Sequence, residues 1–224
     1  FLRMKKKENP SKPIQSPKIP EEKKENFSLL LDYFGLTDFF YPPSSLCPLD
    51  IDNMDIVQPH GSLVDVTKSE NKIQFSTNGN NNHQFTACKP PLDSSGEGSF
   101  WKVTIGTLPN PGNGGWINLG IIGNLDASTD SYNDSTNYGW ATNSYHGGTL
   151  RTRDSGWTQF TDGECLYFHL KADKLTMFRV QMDKKFTMDI ATTADAYYIH
   201  FNMHYIGTKL KLESLCHDER ACFL

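Results

Sequence analysis

Tyr132, Tyr138, Trp140, Tyr145 and Trp157 fall close together in the chain, interleaved with Asn124, Asn133, Asn137, Asn143 and Arg151. Tyr, Trp and Arg carry much of the binding energy at protein interfaces, because each buries a large area and still offers a polar handle. The chemistry this stretch suggests is recognition. Trp140 and Trp157 follow Gly139 and Gly156, and both a surface position and a core position are open to them.

The other reactive groupings are poorer. The run 124–134, NLDASTDSYND, offers Asp126, Asp130, Asn133 and Asp134 as oxygen ligands. It lacks the every-second-residue spacing and central Gly of a calcium loop, so a solvated loop is expected and no metal. His200, Asn202 and His204 alternate onto one strand face. Same-face neighbours on a strand stand roughly 6.5 to 7 Å apart, and His200 and His204 about twice that, too far to share one ion through bonds of about 2 Å. Cys165 and His169 are four residues apart on a strand, beyond hydrogen-bond reach of each other. Asp162 and Glu164 flank a turn glycine as any sandwich acids do, and no G-x-S-x-G elbow occurs. No cofactor and no enzymatic activity are expected. A sandwich hydrolase built on a carboxylate pair and a carbohydrate-binding sandwich using the same aromatic and amide groups are the alternatives.

These residues need a scaffold of strands. In 116–122, WINLGII, the residues Ile117, Leu119 and Ile121 oppose Asn118 and Gly120, the period-two pattern of a half-buried strand. Leu166, Phe168 and Leu170 alternate with Tyr167 and His169, and 175–178 follows across a short link, which predicts a hairpin. The longest alternation sets Tyr197, Ile199, Phe201, Met203 and Tyr205 against Tyr198, His200, Asn202 and His204. Further strands are predicted over 62–66, 72–76, 100–105, 185–190 and 209–212, separated by Gly-, Pro- and Asn-rich turns. The fold class is all-β, an antiparallel β-sandwich with a short N-terminal helix.

Composition divides the chain into a basic Lys/Pro-rich linker at 1–26, an amphipathic helix within 27–43, the sandwich at 45–215 and a tail at 216–224. The first segment carries eight Lys or Arg against four Glu, so the whole-chain charge of −4 leaves −8 for the remainder. That balance argues against the folded part gripping a phosphate backbone, and no nucleic-acid partner is expected. Phe27, Leu30, Leu31 and Phe34 share one helical face, ended by Gly35. No apolar run is long enough to span a bilayer, so no membrane partner is expected. The five cysteines are scattered and odd in number, which suits reduced thiols in the cytoplasm.

The order of these pieces resembles a SPRY domain over about residues 50–215. Residues 116–123 are similar to its W-x-V-G-V-A strand, Tyr138-Gly139-Trp140 to its S-W-G-W segment, and 162–166 to its G-D-x-I-G-V start with the Gly-Asp order reversed. Residues 174–178 are similar to its G-T-L-S-F strand, and 196–212 to its closing strand pair. The Pro expected after Tyr198 and the Asn-Gly expected after Phe178 are missing. The resemblance implies a concanavalin-like jelly roll that binds a short peptide or loop of a protein partner. It assigns Asn124, Asp126, Tyr132 and Asn133, with His204 and Tyr205, to the binding surface, to which the aromatic reading adds Tyr138, Trp140 and Tyr145. Residues 1–43, ending in ENFSLLLDYFGLTDFFYPP, resemble the tail of a BTB domain of the potassium-channel-tetramerisation type. That resemblance implies an oligomeric adapter of a cullin-type ubiquitin ligase whose BTB strands precede Phe1. The alternative is a helix packed on the sandwich.

Overall fold

The computed structural model describes residues 49–58, 63–79, 82–109, 115–142, 157–191 and 194–215, and the backbone of strands at 144–147 and 150–152. The readings made on 1–48 (linker, amphipathic helix and BTB tail) and on 216–224 lie outside the described residues.

In chain order the strands are β1 (Asp55–Val57), β2 (Val64–Ser69), β3 (Lys72–Thr77), β4 (Gln84–Lys89), β5 (Ser99–Thr107), β6 (Ile117–Ile122), β7 (Asn137–Ala141), β8 (Ser144–Gly147), β9 (Leu150–Thr152), β10 (Cys165–Lys171), β11 (Lys174–Arg179), β12 (Lys184–Asp189), β13 (Tyr198–Met203) and β14 (Lys209–Glu213). They form two seven-stranded sheets, one in the order β1-β4-β13-β6-β7-β8-β9 and the other β12-β11-β10-β5-β14-β3-β2. Every pairing among the described residues is antiparallel, so they form an antiparallel β-sandwich.

Alternation decides which side chains lie between the sheets. Ile117, Leu119 and Ile121 of β6 and Ile199, Phe201 and Met203 of β13 face Trp101, Val103 and Ile105 of β5 and Leu166, Phe168 and Leu170 of β10, all buried in one cluster. Aromatic contacts cross the gap: Phe75 of β3 meets Phe201 edge-on at 5.1 Å, and Trp140 of β7 lies 6.1 Å from Phe168. Each such fully buried side chain stabilises the fold by about 1.5–3 kcal/mol relative to exposure. Cys88, buried in β4, has its thiol pushed up to about 12 by burial, an effect that Lys68 only partly offsets.

The 165–178 hairpin forms as expected, with Lys171 opposite Lys174 across a two-residue turn and Ala172 at φ +52°. The first hairpin differs from its expected bounds. β2 runs on to Ser69, because the turn is only Glu70-Asn71 with Asn71 at φ +57°. The larger correction concerns β6. All six of its residues are buried, Asn118 and Ile122 included, so the strand is covered on both faces rather than half-buried. At Ile122 the outer cover is Ala127, from the segment between β6 and β7.

Candidate functional site

Residues 123–136 leave the end of β6, cross the outer face of the first sheet and return to the start of β7, forming a strap. At its root the Asp134 carboxylate accepts from Thr136 N (2.8 Å), Thr136 Oγ1 (2.6 Å) and Asn124 Nδ2 (2.9 Å). Burial raises the Asp134 pKa, but these hydrogen bonds outweigh it and hold the group below its ordinary value. Thr136 Oγ1 in turn accepts from the backbone N–H groups of Gly123 and Asn124. A Cβ on Gly123 would sit 2.3 Å from that of Ala194, so this close approach needs glycine. Shortly after leaving β6, Ala127 is buried in a small second core with Phe85, Ala87 and Ile122, and Leu125 packs on its edge. Asp126, Asp130 and Asn133 stay exposed as expected of a solvated loop, while Ala127 and Ser131 turn inward onto the sheet. The short residues between the acids are what allow this stretch to lie flat on the sheet.

At the tip, Ser131–Asn133 form one 3-10 turn. Asn202, fully buried on β13, donates through Nδ2 to Thr129 O (2.6 Å) and Ser131 Oγ (2.7 Å). Its Oδ1 pairs with His83 Nδ1 at 2.9 Å, which makes that ring nitrogen the donor. Ser131 Oγ, which accepts from Asn202, also pairs with His200 Nε2 at 2.8 Å. Four side chains thus form a relay in which each bond polarises the next. His200 and Asn202 belong to this fastening, and among the described residues no cluster of three His, Cys, Asp or Glu side chains is placed to hold a metal ion.

The relay sets five half-buried rings beside one another at this end of the sheet. His83 lies 4.5 Å from Tyr132, 4.5 Å from His204 and 4.7 Å from Trp116, centroid to centroid. Trp116 meets Tyr132 at 4.7 Å and His204 meets Tyr205 at 4.6 Å. The His204 pKa is lowered by burial first and by the neighbouring His83 second, against a smaller upward pull from Asp130. An uncharged imidazole packed among Trp and Tyr suits a surface that buries apolar area and offers a few directed hydrogen bonds. At the root end, a shallow cleft of about 380 Å³ is lined by Asn124, Thr136, Asp195 and Tyr198 among others.

Of the residues singled out from the sequence, Tyr132, His204 and Tyr205 come together in the ring cluster, while Asn124, Asp126 and Asn133 are exposed on the strap. Two are corrected. Tyr138 and Trp140 are central in β7 with 4% and 1% exposure, because alternation around Gly139 turns both into the core. The Tyr138 hydroxyl donates to Ala191 O at 3.3 Å. Tyr145 lies on β8, and its side chain is outside the described residues. Trp157 also resolves as core, its Nε1 donating to Thr142 O at 3.2 Å. The carboxylates considered for hydrolysis have structural partners: Glu164 is buried in a two-point contact with Arg179, and Asp162 accepts from Leu108 N at 2.6 Å. His169 stacks on Phe100 at 3.8 Å and pairs with Glu97 O.

His83, Trp116 and Asn202 were not assigned to the surface by sequence. Trp116 reads as the first residue of a strand, and His83 follows an Asn-rich turn with nothing local to mark it. Only the pairing of β4 with β13, which aligns Gln84 with Met203, brings His83 to Asn202 and His204.

No family model matches the sequence, and no curated protein is similar enough to match it. Among solved structures, the SPRY domain of human HERC1 is similar at a TM-score of 0.52 and 13% identity, covering 68% of this chain and 95% of that one. The fold is a SPRY-type β-sandwich. The NEUZ (NHR) domain of Neuralized from Drosophila melanogaster (TM-score 0.46, 13% identity, 76% of this chain and 94% of that one) and the TRIM65 PSpry domain (TM-score 0.47, 14% identity, 73% and 92%) are weaker likenesses that add nothing to that statement. None of the three supports the BTB-tail resemblance. Among the described residues no helix is long and apolar enough to cross a membrane.

Proposed function

We propose that this SPRY-type sandwich is a non-enzymatic interaction module that binds a short peptide or exposed loop of a protein partner at the ring cluster beside the strap tip. The observation that carries the reading is the cluster itself. Trp116, Tyr132, His83, His204 and Tyr205 are all half-buried, while a fully hydrogen-bonded Asn202 holds the strap from below. Aromatic side chains fixed by a rigid underlayer lose little freedom on binding, which is the property of interface hot spots. The exposed Asn124, Asp126 and Asn133 supply a polar rim. A reducing cytoplasmic setting fits the odd number of cysteines. An adapter role in a cullin-type ligase would rest on the resemblance of residues 1–43 alone and adds nothing to the assignment of the binding surface.

Panning a random-peptide phage library on the full chain tests the reading. Enriched peptides are synthesised and titrated against the wild type and against Tyr132→Ala and Trp116→Ala. Each substitution is expected to weaken binding at least about tenfold, the loss of one hot-spot side chain, while the thermal transition persists. A library that yields no binder, or binders indifferent to both substitutions, overturns the assignment.

A further inference from the structure

Asn118 is the outward-facing residue of β6 one same-face step behind Trp116, and it has no solvent exposure. Neither its Nδ2 nor its Oδ1 has a hydrogen-bond partner among the described residues. The register explains why. Asn118 stands between Asn202 of β13 and Ala141 of β7. Asn202 spends both of its amide hydrogens and its oxygen on the strap and on His83. Ala141 carries no polar side-chain atom, and the next outward residue on β6 is Gly120, which carries no side chain. A carboxamide with both ends unpaired opposes folding, whereas an apolar side chain of similar size would not. Local rules broken in this way mark positions kept for another purpose.

We propose that the Asn118 carboxamide is the floor of a polar subsite behind Trp116 and Tyr132. It receives an N–H donor and a C=O acceptor presented together by the bound polypeptide, from the main chain of an extended segment or from an Asn or Gln side chain. This rests on the interaction reading above and deepens it. One carboxamide offers a donor and an acceptor side by side, so its natural complement is another amide. Asn202, the cross-strand neighbour of Asn118, carries the strap tip, and lifting of that tip is the access route this proposal takes. The strap's apolar anchor at Ala127 lies nearer its root, while the tip is held by the Asn202 and His200 hydrogen bonds and the Tyr132 ring. The tip can therefore lift without unpacking Ala127.

The experiment uses peptides selected by panning on the wild-type full chain, titrated against wild type, Asn118→Leu and Asn118→Ala. Asn118→Leu is expected to leave the melting temperature unchanged or raised, and to weaken these peptides at least tenfold. Asn118→Ala should show the same loss of affinity and keeps the test decisive if the larger side chain impairs folding. Two sets of altered peptides separate the sources: ester replacement of each backbone amide, and Ala replacement of each Asn or Gln. The change that weakens binding to wild type and not to the Asn118 variants identifies the group received. Unchanged affinity in both variants overturns the subsite and leaves the interaction reading standing. Failure to select any peptide overturns the interaction reading and the subsite with it.

Discussion

At the scale of single residues, the most costly group to disturb is the Arg179 side chain. It points inward from β11 with 2% exposure, and its Nε and Nη2 hold both oxygens of Glu164 at 2.5 and 2.9 Å. Its remaining hydrogens go to the carbonyls of Thr158 (2.7 Å) and Gln159 (3.1 Å), and it lies over the rings of Trp157 and Phe160 at 5.1 Å each. One guanidinium thereby fastens the strandless segment 157–164 to the sheet. Arg179→Met leaves a carboxylate buried without its counter-ion, and the expected loss is about 3–5 kcal/mol, read from urea denaturation. Adding Glu164→Leu should recover part of that loss, because two apolar side chains replace the pair. Recovery stays incomplete, since the two carbonyls lose their donors at about 1–3 kcal/mol each. A single-variant loss below about 1 kcal/mol, the scale of an exposed pair, would show the ion pair to be solvated, and full recovery in the double variant would show that the two carbonyls find other donors.

At the scale of elements, the strap joins fold to surface. Its residue types do not show where it lies: Ala127 and Ser131 among aspartates and asparagines look like loop residues, and nothing local shows that Phe85, Ala87 and Ile122 leave an apolar patch for them. The β10–β11 hairpin and the long β13 alternation were legible because their signals are local, period-two runs bounded by turns. The buried state of Tyr138 and Trp140 was not, because it depends on β6 lying beside β7 in the register that sets Gly120 against Gly139. The surface was legible in part for the same reason. Tyr132, His204 and Tyr205 are marked by type, whereas His83 is recruited through a partner 119 residues away. If Asn202 is the fastening, Asn202→Leu leaves Thr129 O, Ser131 Oγ and His83 Nδ1 without their partner. The expected cost is about 1–3 kcal/mol. Hydrogen exchange should quicken across 125–134 while the amides of β10 and β11 stay protected. Unchanged protection of the strap would mean that Ala127 and Tyr132 hold it without Asn202.

At the scale of the whole molecule, the two outer faces share a dependence on pH. His204 lies in the ring cluster beside the first sheet, and His169 lies on the outer face of the second, stacked on Phe100. Both pKa values are lowered. Burial is the larger cause in each, followed for His204 by the charge of His83, while for His169 the hydrogen bond to Glu97 O pulls the other way. A histidine whose folded pKa lies below its unfolded value of about 6.5 binds fewer protons folded than unfolded, so stability rises with pH across the interval between the two values. Stability is therefore full above pH 6.5 and erodes as the pH falls from there through the lowered values. The carboxylates with lowered pKa, Asp93 and Asp134, act only in the more acidic range below the ordinary carboxylate value. The urea midpoint of the wild type should drop between pH 7.5 and 5.5, and the drop should shrink in His169→Gln/His204→Gln, where neither side chain takes up a proton. Partner binding should weaken over the same interval, because protonating His204 places a cation 4.5 Å from His83 and beside Tyr205, within the ring cluster that the partner would cover. A midpoint that is flat across this range, or that falls equally in the double variant, would place the acid sensitivity elsewhere.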